Sequence, residues 1–299
     1  MRPDWLERIG LKAKLRAPAL RLRLFTAGAC SHPEWVTLRG GTLRTVKIPA
    51  MFACLEHPQH GHILYDTGYA GRFLEATARL PARLYRMVTP VSFRPEQGAA
   101  EQLRRCGIDP ARIGKIVISH FHADHVAGLR DFPHARFLYE PEAYAAVRRL
   151  TGLAALRRAY LPELLPENFA ARSDIWSPEA WQSTDPATGF PFSSVLDVLG
   201  DGSLLAVKLP GHADGQIGLL FATERHMYFL CADAVWSSRA YRESRPPHPL
   251  AGLIMPSRTD YHSSFERIVR FHRLYPEVRI IPSHCSEASG RWSGGGEIL

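Results

Sequence analysis

Three histidines and one aspartate fall within six consecutive positions near the middle of this chain, in the segment Ser119–His125 (SHFHADH). The apolar residues 115–118 before it predict a buried strand, and the residues after it predict a helix that Asp124 could cap. His120 and His122, two apart in an extended segment, can point to one side, while the following turn can aim the next ligands elsewhere. Imidazole and carboxylate suit zinc and its first-row neighbours, and the segment has no thiolate of a closed structural zinc site. It therefore predicts two adjacent ion sites, an open coordination position and catalysis.

A plainer interpretation treats these residues as loop histidines on the surface, with Asp124 serving only as a helix N-cap. For any one of them alone, that interpretation would be a fair choice. For the four together, crowding unpaired polar groups beside a buried strand costs free energy unless a shared cation pairs them. The metal interpretation is therefore preferred.

The pattern His-x-His-x-Asp-His resembles the signature of the metallo-β-lactamase-fold hydrolases, and the resemblance covers most of the chain. It implies an α/β fold, a four-layer αβ/βα sandwich, with more ligands downstream in a set order. The matching positions each follow an apolar run: Asp66, His212, Asp233 and His284. Asp66 matches a supporting element near the metals, and Asp233 matches the aspartate that bridges them.

The resemblance implies two divalent ions, with zinc expected and manganese or iron as alternatives. The implied ligands of the first ion are His120, His122 and His212, and those of the second ion are Asp124, His125 and His284. Asp233 is the implied bridging ligand. Asp124 is also the catalytic candidate, assisting the leaving alkoxide. In the oxygen-reducing di-iron branch of the family, the position that matches His122 carries a carboxylate. The histidine at this position therefore indicates hydrolysis.

Within the hydrolases the nearest resemblance is to the N-acyl homoserine lactonases, through residues 64–68, 119–128 and 210–212 and Asp233. Those lactonases carry a tyrosine three residues after the bridging aspartate, where its hydroxyl assists the lactone carbonyl. This chain has Trp236 there, and an indole has no hydroxyl. Trp236 is therefore a candidate for the substrate pocket rather than a direct replacement.

The expected reaction is hydrolysis of a lactone or carboxylic ester with an apolar acyl group, by hydroxide that the two metals activate. A thioesterase or a phosphodiesterase of the same fold is the alternative, because a di-metal site stabilises either type of oxyanion. A non-catalytic metal-binding protein is an alternative of another class. The complete ligand set argues against this alternative, since a site that has lost its catalytic activity is expected to have lost at least one ligand.

Length and composition predict one domain over residues 1–299, because 299 residues with 45% hydrophobic content can bury an ample core. Residues 150–192 combine several prolines with aromatic residues, which predicts a cap over the substrate pocket. A second small core under a long excursion is the alternative. A basic N-terminal arm is predicted at about residues 1–19, for which a solvated face is the plain interpretation and an amphipathic arm against a partner subunit or an anionic membrane surface is the alternative.

No apolar run is long enough to span a membrane, and the N-terminus has no secretory apolar region, so the cytoplasm is the expected location. Five cysteines without a Cys-x-x-Cys pair argue against a disulfide framework. The net charge of +8 is scattered, and the interval from His212 to His284 is too short for the extra domain of RNA-cutting relatives. A small-molecule substrate is therefore the expected partner, nucleic acid is not, and a homodimer is left open.

Overall fold

Two β-sheets pack face to face in the computed structural model, which describes residues 17–294 and 296–298. The first sheet has the order β14-β1-β2-β3-β5-β6-β7, with β4 also paired to β1. Its strands are β1 Arg21–Pro33, β2 Thr45–His57, β3 Gly61–Tyr65, β4 Val91–Ser92, β5 Lys115–Val117, β6 Arg136–Tyr139, β7 Ser173–Ile175 and β14 Glu297–Ile298. From β3 to β7 neighbouring strands are parallel, and β1, β2 and β3 are antiparallel.

The second sheet has the order β13-β12-β11-β10-β9-β8. Its strands are β8 Trp181–Ser183, β9 Ser194–Asp197, β10 Leu204–Lys208, β11 Ile217–Ala222, β12 Met227–Leu230 and β13 Arg279–Ile281. Only β12 and β13 pair in parallel. Because β11 is antiparallel to both β10 and β12, the strands β10, β12 and β13 all run in one direction.

Helices cover the outer face of each sheet. The α-helices are α1 Glu34–Thr37, α2 Gly71–Ala76, α3 Arg83–Val88, α4 Ala99–Arg105, α5 Ala123–Val126, α6 Pro141–Val147, α7 Gly152–Leu156, α8 Ser238–Arg242, α9 Arg258–Leu274 and α10 Ser286–Trp292. In the described part of the chain, no helix combines the length and the apolar character needed to cross a membrane.

The alternation of side chains along β2 shows how the layers form. Met51, Ala53 and Leu55 enter the central cluster between the sheets, where they meet side chains of the second sheet such as Phe221. Phe52, on the other face of the strand, enters the outer cluster beneath the helices of the first sheet. This period of two residues is that of a strand buried on both faces. The result is the predicted four-layer αβ/βα sandwich.

Residues 150–192, for which the sequence predicts a cap, supply β7 to one sheet and β8 to the other. Their aromatic side chains are divided among the hydrophobic clusters: Tyr160 and Phe169 lie in one outer cluster, Phe190 and Phe192 in the other. These aromatics therefore serve packing, and the covering of a substrate pocket by this segment stays a prediction. Residues 1–16 of the predicted basic arm lie outside the described residues.

Candidate metal centre

The predicted site residues all follow strand ends at one edge of the sandwich. Asp66 directly follows β3, and the Ser119–His125 segment follows β5, which is parallel to β3. In the other sheet His212, Asp233 and His284 follow β10, β12 and β13, which also share one direction. Strands of one direction end at the same edge, so a regular sandwich brings these loops together.

Four of the predicted ligands form one buried group. His120, His122, His212 and Asp233 each offer an atom within 4.8 Å of the others. The closest approaches are His212 Nε2 to His122 Nδ1 at 3.0 Å and His212 Nε2 to Asp233 Oδ2 at 3.0 Å. This is the set that the resemblance assigns to the first ion.

The other three predicted ligands form a second group that adjoins the first. Asp124, His125 and His284 offer atoms within 4.8 Å of one another. Asp233 reaches this group too, with Oδ2 2.9 Å from His284 Nε2 and Oδ1 3.4 Å from His125 Nε2. One carboxylate thus contacts both groups, as a bridging ligand must.

Asp66 and Ser119 fix which ring nitrogens face the centre. Asp66 Oδ1 accepts a hydrogen bond from the Ser119 amide at 2.8 Å, and Oδ2 accepts from Ser119 Oγ at 2.7 Å and from His125 Nδ1 at 2.7 Å. Ser119 Oγ then accepts from His120 Nδ1 at 2.9 Å. With both Nδ1 atoms protonated, the Nε2 lone pairs of His120 and His125 are free to bind a metal.

A backbone carbonyl does the same for His284. Its Nδ1 lies 2.8 Å from the carbonyl oxygen of Pro49 on β2, which can only accept, so Nδ1 donates and Nε2 is the nitrogen that faces the centre. The β2 strand thereby orients a ligand that the other sheet supplies.

The electrostatics of the cluster favour ligation. Burial, and then the neighbouring imidazoles of His125 and His122, holds the pKa of His120 well below its usual value. Although burial favours its neutral form, the pKa of Asp233 is held well below its usual value by His284 and the surrounding imidazoles. Metal binding requires neutral imidazoles around an ionised carboxylate, and His120 and Asp233 already meet this requirement. Although burial opposes it, the carboxylates raise the pKa of His284 to about 9 and that of His125 well above its usual value, so metal ions must displace protons from these two rings.

Unpartnered atoms test whether these residues suit a metal. Among the described residues, the buried atoms without a hydrogen-bond partner include four on the predicted ligands: His120 Nε2, His125 Nε2, His212 Nδ1 and Asp233 Oδ1. An unsatisfied buried polar group costs about 1–3 kcal/mol, and a cluster of them indicates groups that await a ligand. Three of the four are ligand atoms that face the centre, so the residues fit divalent metal binding.

Trp236 lies beside the first group, with its ring 5.8 Å from that of His212 and nearly perpendicular to it. It packs in a small cluster with Tyr261 of α9. The indole Nε1 and the Tyr261 hydroxyl are both buried without a partner. Burial, and then the charge of Asp233, raises the pKa of Tyr261 well above its usual value, so the hydroxyl stays a donor.

Two features of the site do not follow from the motif. Asp124 does not cap the helix, because α5 begins at Ala123 with His122 at the N-cap and no side-chain cap bond. The Asp124 carboxylate instead points to His284 Nε2, 3.4 Å away. Ser119 and Tyr261 had no predicted role. The position of Ser119 directly before His120 was a usable signal, whereas Tyr261 lies in an ordinary helical sequence.

Gly211, directly before His212, allows helix α9 to approach the loop closely. Its φ is +117°, and an added Cβ would lie 1.9 Å from the backbone nitrogen of Tyr261. The Tyr261 helix and the His212 loop therefore touch backbone to backbone.

We expect Gly211→Ala to lower the free energy of unfolding by about 4 kcal/mol, from backbone strain together with overpacking. Chemical denaturation of the metal-free protein measures this. Gly61→Ala is the matched control, because Gly61 has a φ of +67° but no atom near the added Cβ, so it should lose only the strain. Equal losses in the two variants would contradict the close approach.

A third group of possible ligands, His57, His60 and Asp201, lies away from this centre. His57 Nδ1 accepts hydrogen bonds from the amides of Gln59 at 3.0 Å and His60 at 3.1 Å. Its Nε2 therefore carries the proton and donates to Asp201 Oδ2 at 2.8 Å. With both nitrogens engaged, His57 holds the β2–β3 turn and is not a free ligand.

Comparisons with known proteins agree with this geometry. Residues 55–284 match the family described as the Metallo-beta-lactamase superfamily. A probable metallo-hydrolase of Mycobacterium tuberculosis is 26% identical over 259 residues, covering 83% of this chain and 78% of the relative. The N-acyl homoserine lactonase AttM of Agrobacterium fabrum is 26% identical over 221 residues, covering 73% and 77%.

Among solved structures, an N-acyl homoserine lactone hydrolase with N-hexanoyl-L-homoserine bound at its catalytic metal centre superimposes with a TM-score of 0.71 at 18% identity, covering 93% of this chain and 98% of the other. AidC, a dizinc quorum-quenching lactonase, gives 0.62 at 15% identity, covering 93% and 91%. At these identities the structures support the fold alone. Since the family match spans most of the sequence and the strand-end ligands converge, this chain belongs to the metallo-beta-lactamase superfamily.

Proposed function

We propose that this chain is a dinuclear metal-dependent hydrolase that opens a lactone or a carboxylic ester bearing an apolar group. The observation that carries the proposal is the pair of adjoining nitrogen and oxygen donor groups that share Asp233. Relatives named as N-acyl homoserine lactonases and metallo-hydrolases support it.

The proposed ions are two zincs, with manganese or iron as alternatives, since the donors are imidazoles and carboxylates without thiolate. The proposed ligands of the first ion are His120, His122 and His212, and those of the second ion are Asp124, His125 and His284. Asp233 is the proposed bridging ligand. Asp66 and Ser119 would hold the ring orientation of His120 and His125.

Bound divalent ions would lower the pKa of water towards neutrality and polarise the substrate carbonyl. Asp124 is placed to accept the proton that the attacking water loses, because its carboxylate is buried at the centre beside His284. It then returns that proton to the ring or ester oxygen as the C–O bond breaks, which balances the hydrolysis.

Tyr261 is our candidate for the hydroxyl donor that Trp236 cannot supply. Its phenol and the Trp236 indole are two buried donors without a partner, next to His212. A tetrahedral oxyanion needs such preorganised donors where its charge develops. The tyrosine function of the lactonases would thus be retained here on helix α9.

The apolar substituent is inferred from the lactonase relatives, and it would need a wider space than the recess of about 10 Å³ beside His122, which has room for about one water molecule. Phe121, Ala143, Val147 and Ala213 contribute to its lining. An ion pair of Arg158 and Asp214, 2.8 Å apart, lies at the same recess and offers polar groups to an amide.

The deciding experiment measures the metal-loaded protein against N-acyl homoserine lactones of increasing chain length, simple lactones, aryl esters, thioesters and phosphodiesters. Ring opening is followed by the acid it releases. We expect lactones or esters to be cleaved, with rates that fall on chelation and return with zinc. Turnover of phosphodiesters alone would overturn the carbonyl substrate, and no turnover with full metal occupancy would favour a non-catalytic metal-binding protein.

We expect Asp66→Asn to lower metal affinity about 10- to 100-fold, the usual cost of losing such an outer partner. The amide can donate to His125 Nδ1 and so drive its proton to Nε2, the atom that faces the centre. Competition with a chromophoric chelator measures the affinity. Asp109→Asn, at an exposed 3₁₀-helix cap, is the control and should bind metal normally. Unchanged affinity in Asp66→Asn would refute the orienting role.

The setting of the reaction remains a proposal as well. A small-molecule substrate, a cytoplasmic location and a homodimer are predictions from the sequence. Light scattering of the purified chain and fractionation of cells test the last two.

A further inference from the structure

Most of the exposed large apolar side chains of the described residues stand on three short segments. Of eleven such side chains, eight lie within residues 38–44, 79–88 and 249–254. They are Leu43, Leu80, Leu84, Met87, Val88, Leu250, Leu253 and Ile254. We call these three segments the apolar rim. Clustered exposure of this kind marks an interaction surface, whereas isolated apolar side chains need no explanation.

The three segments are joined through residues 31–36. The amide of Ser31 donates to the Pro90 carbonyl at 3.0 Å, just beyond the second segment. The amide of Trp35 donates to the Thr42 carbonyl at 3.0 Å, in the first segment. The Trp35 ring also meets the His248 ring at 4.9 Å, next to the third segment. The rim is therefore one continuous strip.

Two segments of the strip also pack inward. Tyr85, in α3 of the second segment, packs against the outer cluster that contains Phe121 and Ala123 of the Ser119–His125 segment. Val36 and Ala251 pack in the cluster that contains Trp236, beside His212. These contacts tie the rim to the face of the molecule that carries the metal centre, while its aliphatic side chains stay exposed.

The charge of these segments is of one sign. Residues 38–44, 79–88 and 249–254 contain five arginines and no aspartate or glutamate. Two flanking carboxylates, Glu34 and Glu243, are engaged by Arg239 at 3.3 and 2.8 Å. Aliphatic side chains among arginines are the composition of an interfacial segment on anionic lipid.

We propose that the apolar rim docks the face of the metal centre onto the surface of an anionic lipid bilayer. The aliphatic side chains stand on three separate short segments, and insertion at the acyl boundary needs no matching pocket for each of them. A protein partner would need such pockets. The cations flank these side chains, where they can meet lipid phosphates. This inference does not rest on the proposed reaction, because docking is measured without substrate.

The test is sedimentation of the full-length, metal-loaded protein with vesicles of phosphatidylglycerol and phosphatidylcholine, against vesicles of phosphatidylcholine alone. We expect binding to the anionic vesicles that weakens with salt. Met87→Asp and Leu253→Asp should each lower the partition coefficient about tenfold through the lost apolar insertion. Arg83→Gln should lower it about fivefold.

Leu153→Asp is the matched control, because Leu153 is as exposed as Met87, at 61% against 65%, but lies in α7 outside the rim. Its binding should equal that of the unchanged protein. Equal binding of Met87→Asp and Leu153→Asp would overturn the proposal. The proposal would also be overturned if vesicle binding were lost only when the charges of Lys12, Lys14 and Arg16 are reversed. The N-terminal segment would then be the part that binds the vesicle. The proposal would also be overturned if the protein did not bind vesicles but formed a dimer that Leu253→Asp abolishes. The rim would then contact a second copy of the chain.

Discussion

Asp233→Ala is expected to remove both metal ions and to lower kcat/KM about 10⁴-fold, as loss of a residue on which a whole catalytic unit depends does. The reason is geometric. The Asp233 carboxylate lies 3.0 Å from His212 Nε2 in one ligand group and 2.9 Å from His284 Nε2 in the other. Elemental analysis after gel filtration should find about two ions per unchanged chain, as a di-metal site requires, and fewer than one in the variant.

His212→Ala separates bridging from simple ligation, because it should weaken chiefly the first ion. Asp131→Asn is the control for loss of a carboxylate, since Asp131 pairs with Arg72. A readout without metal is also available. Although burial opposes it, Asp233 raises the pKa of His284 to about 9 in the metal-free protein, so this pKa should fall in Asp233→Ala. Full metal content in Asp233→Ala would contradict the bridge.

Tyr261→Phe is expected to lower kcat about 10²- to 10³-fold with little change in KM, the cost of losing one oxyanion donor. The buried hydroxyl has no partner of its own, so its removal leaves no other group unsatisfied. Binding of a phosphonate that mimics the tetrahedral intermediate should weaken in parallel, whereas binding of the carboxylate product should not. Inhibition constants measure both.

Tyr241→Phe is the matched control, because this buried hydroxyl donates to the Ile280 carbonyl at 3.3 Å in another cluster. It should cost about 1 kcal/mol of stability and leave kcat unchanged. Trp236→Phe tests the second donor, and the double variant shows whether the two act as a unit. An unchanged kcat in Tyr261→Phe would remove the hydroxyl from the mechanism.

The convergence of the predicted ligands could be expected from the sequence, because each of them follows an apolar run that predicts a strand. The apolar runs before His120, His212, Asp233 and His284 are strands in the structure, and strands of one direction deliver the loops after them to one edge. Short apolar runs in the sequence were therefore enough to predict that residues far apart along the chain meet at one edge of the sandwich.

Other features depend on packing that a single sequence does not reveal. Ala232, directly before Asp233, has a φ of +48°. An alanine does not predict this left-handed conformation. Tyr261 packs in the cluster of Trp236 because Gly211 lets helix α9 touch the loop before His212. Tertiary contacts decided both of these cases. The composition of residues 150–192 left a cap and a second small core both open, and the packing of Tyr160, Phe169, Phe190 and Phe192 in the hydrophobic clusters does not test the cap.

The division of the ligands between the two sheets also bears on how long the folded chain lasts. His120, His122, Asp124 and His125 follow a strand of one sheet, while His212, Asp233 and His284 follow strands of the other. In the proposed loaded protein the ions cross-link segments as far apart as residues 120 and 284, and such a link removes much of the entropy of the unfolded chain. The sheets cannot separate until the ions leave. Metal dissociation would then limit the rate of unfolding, so that the seven side chains proposed to serve hydrolysis also determine the kinetic lifetime of the fold.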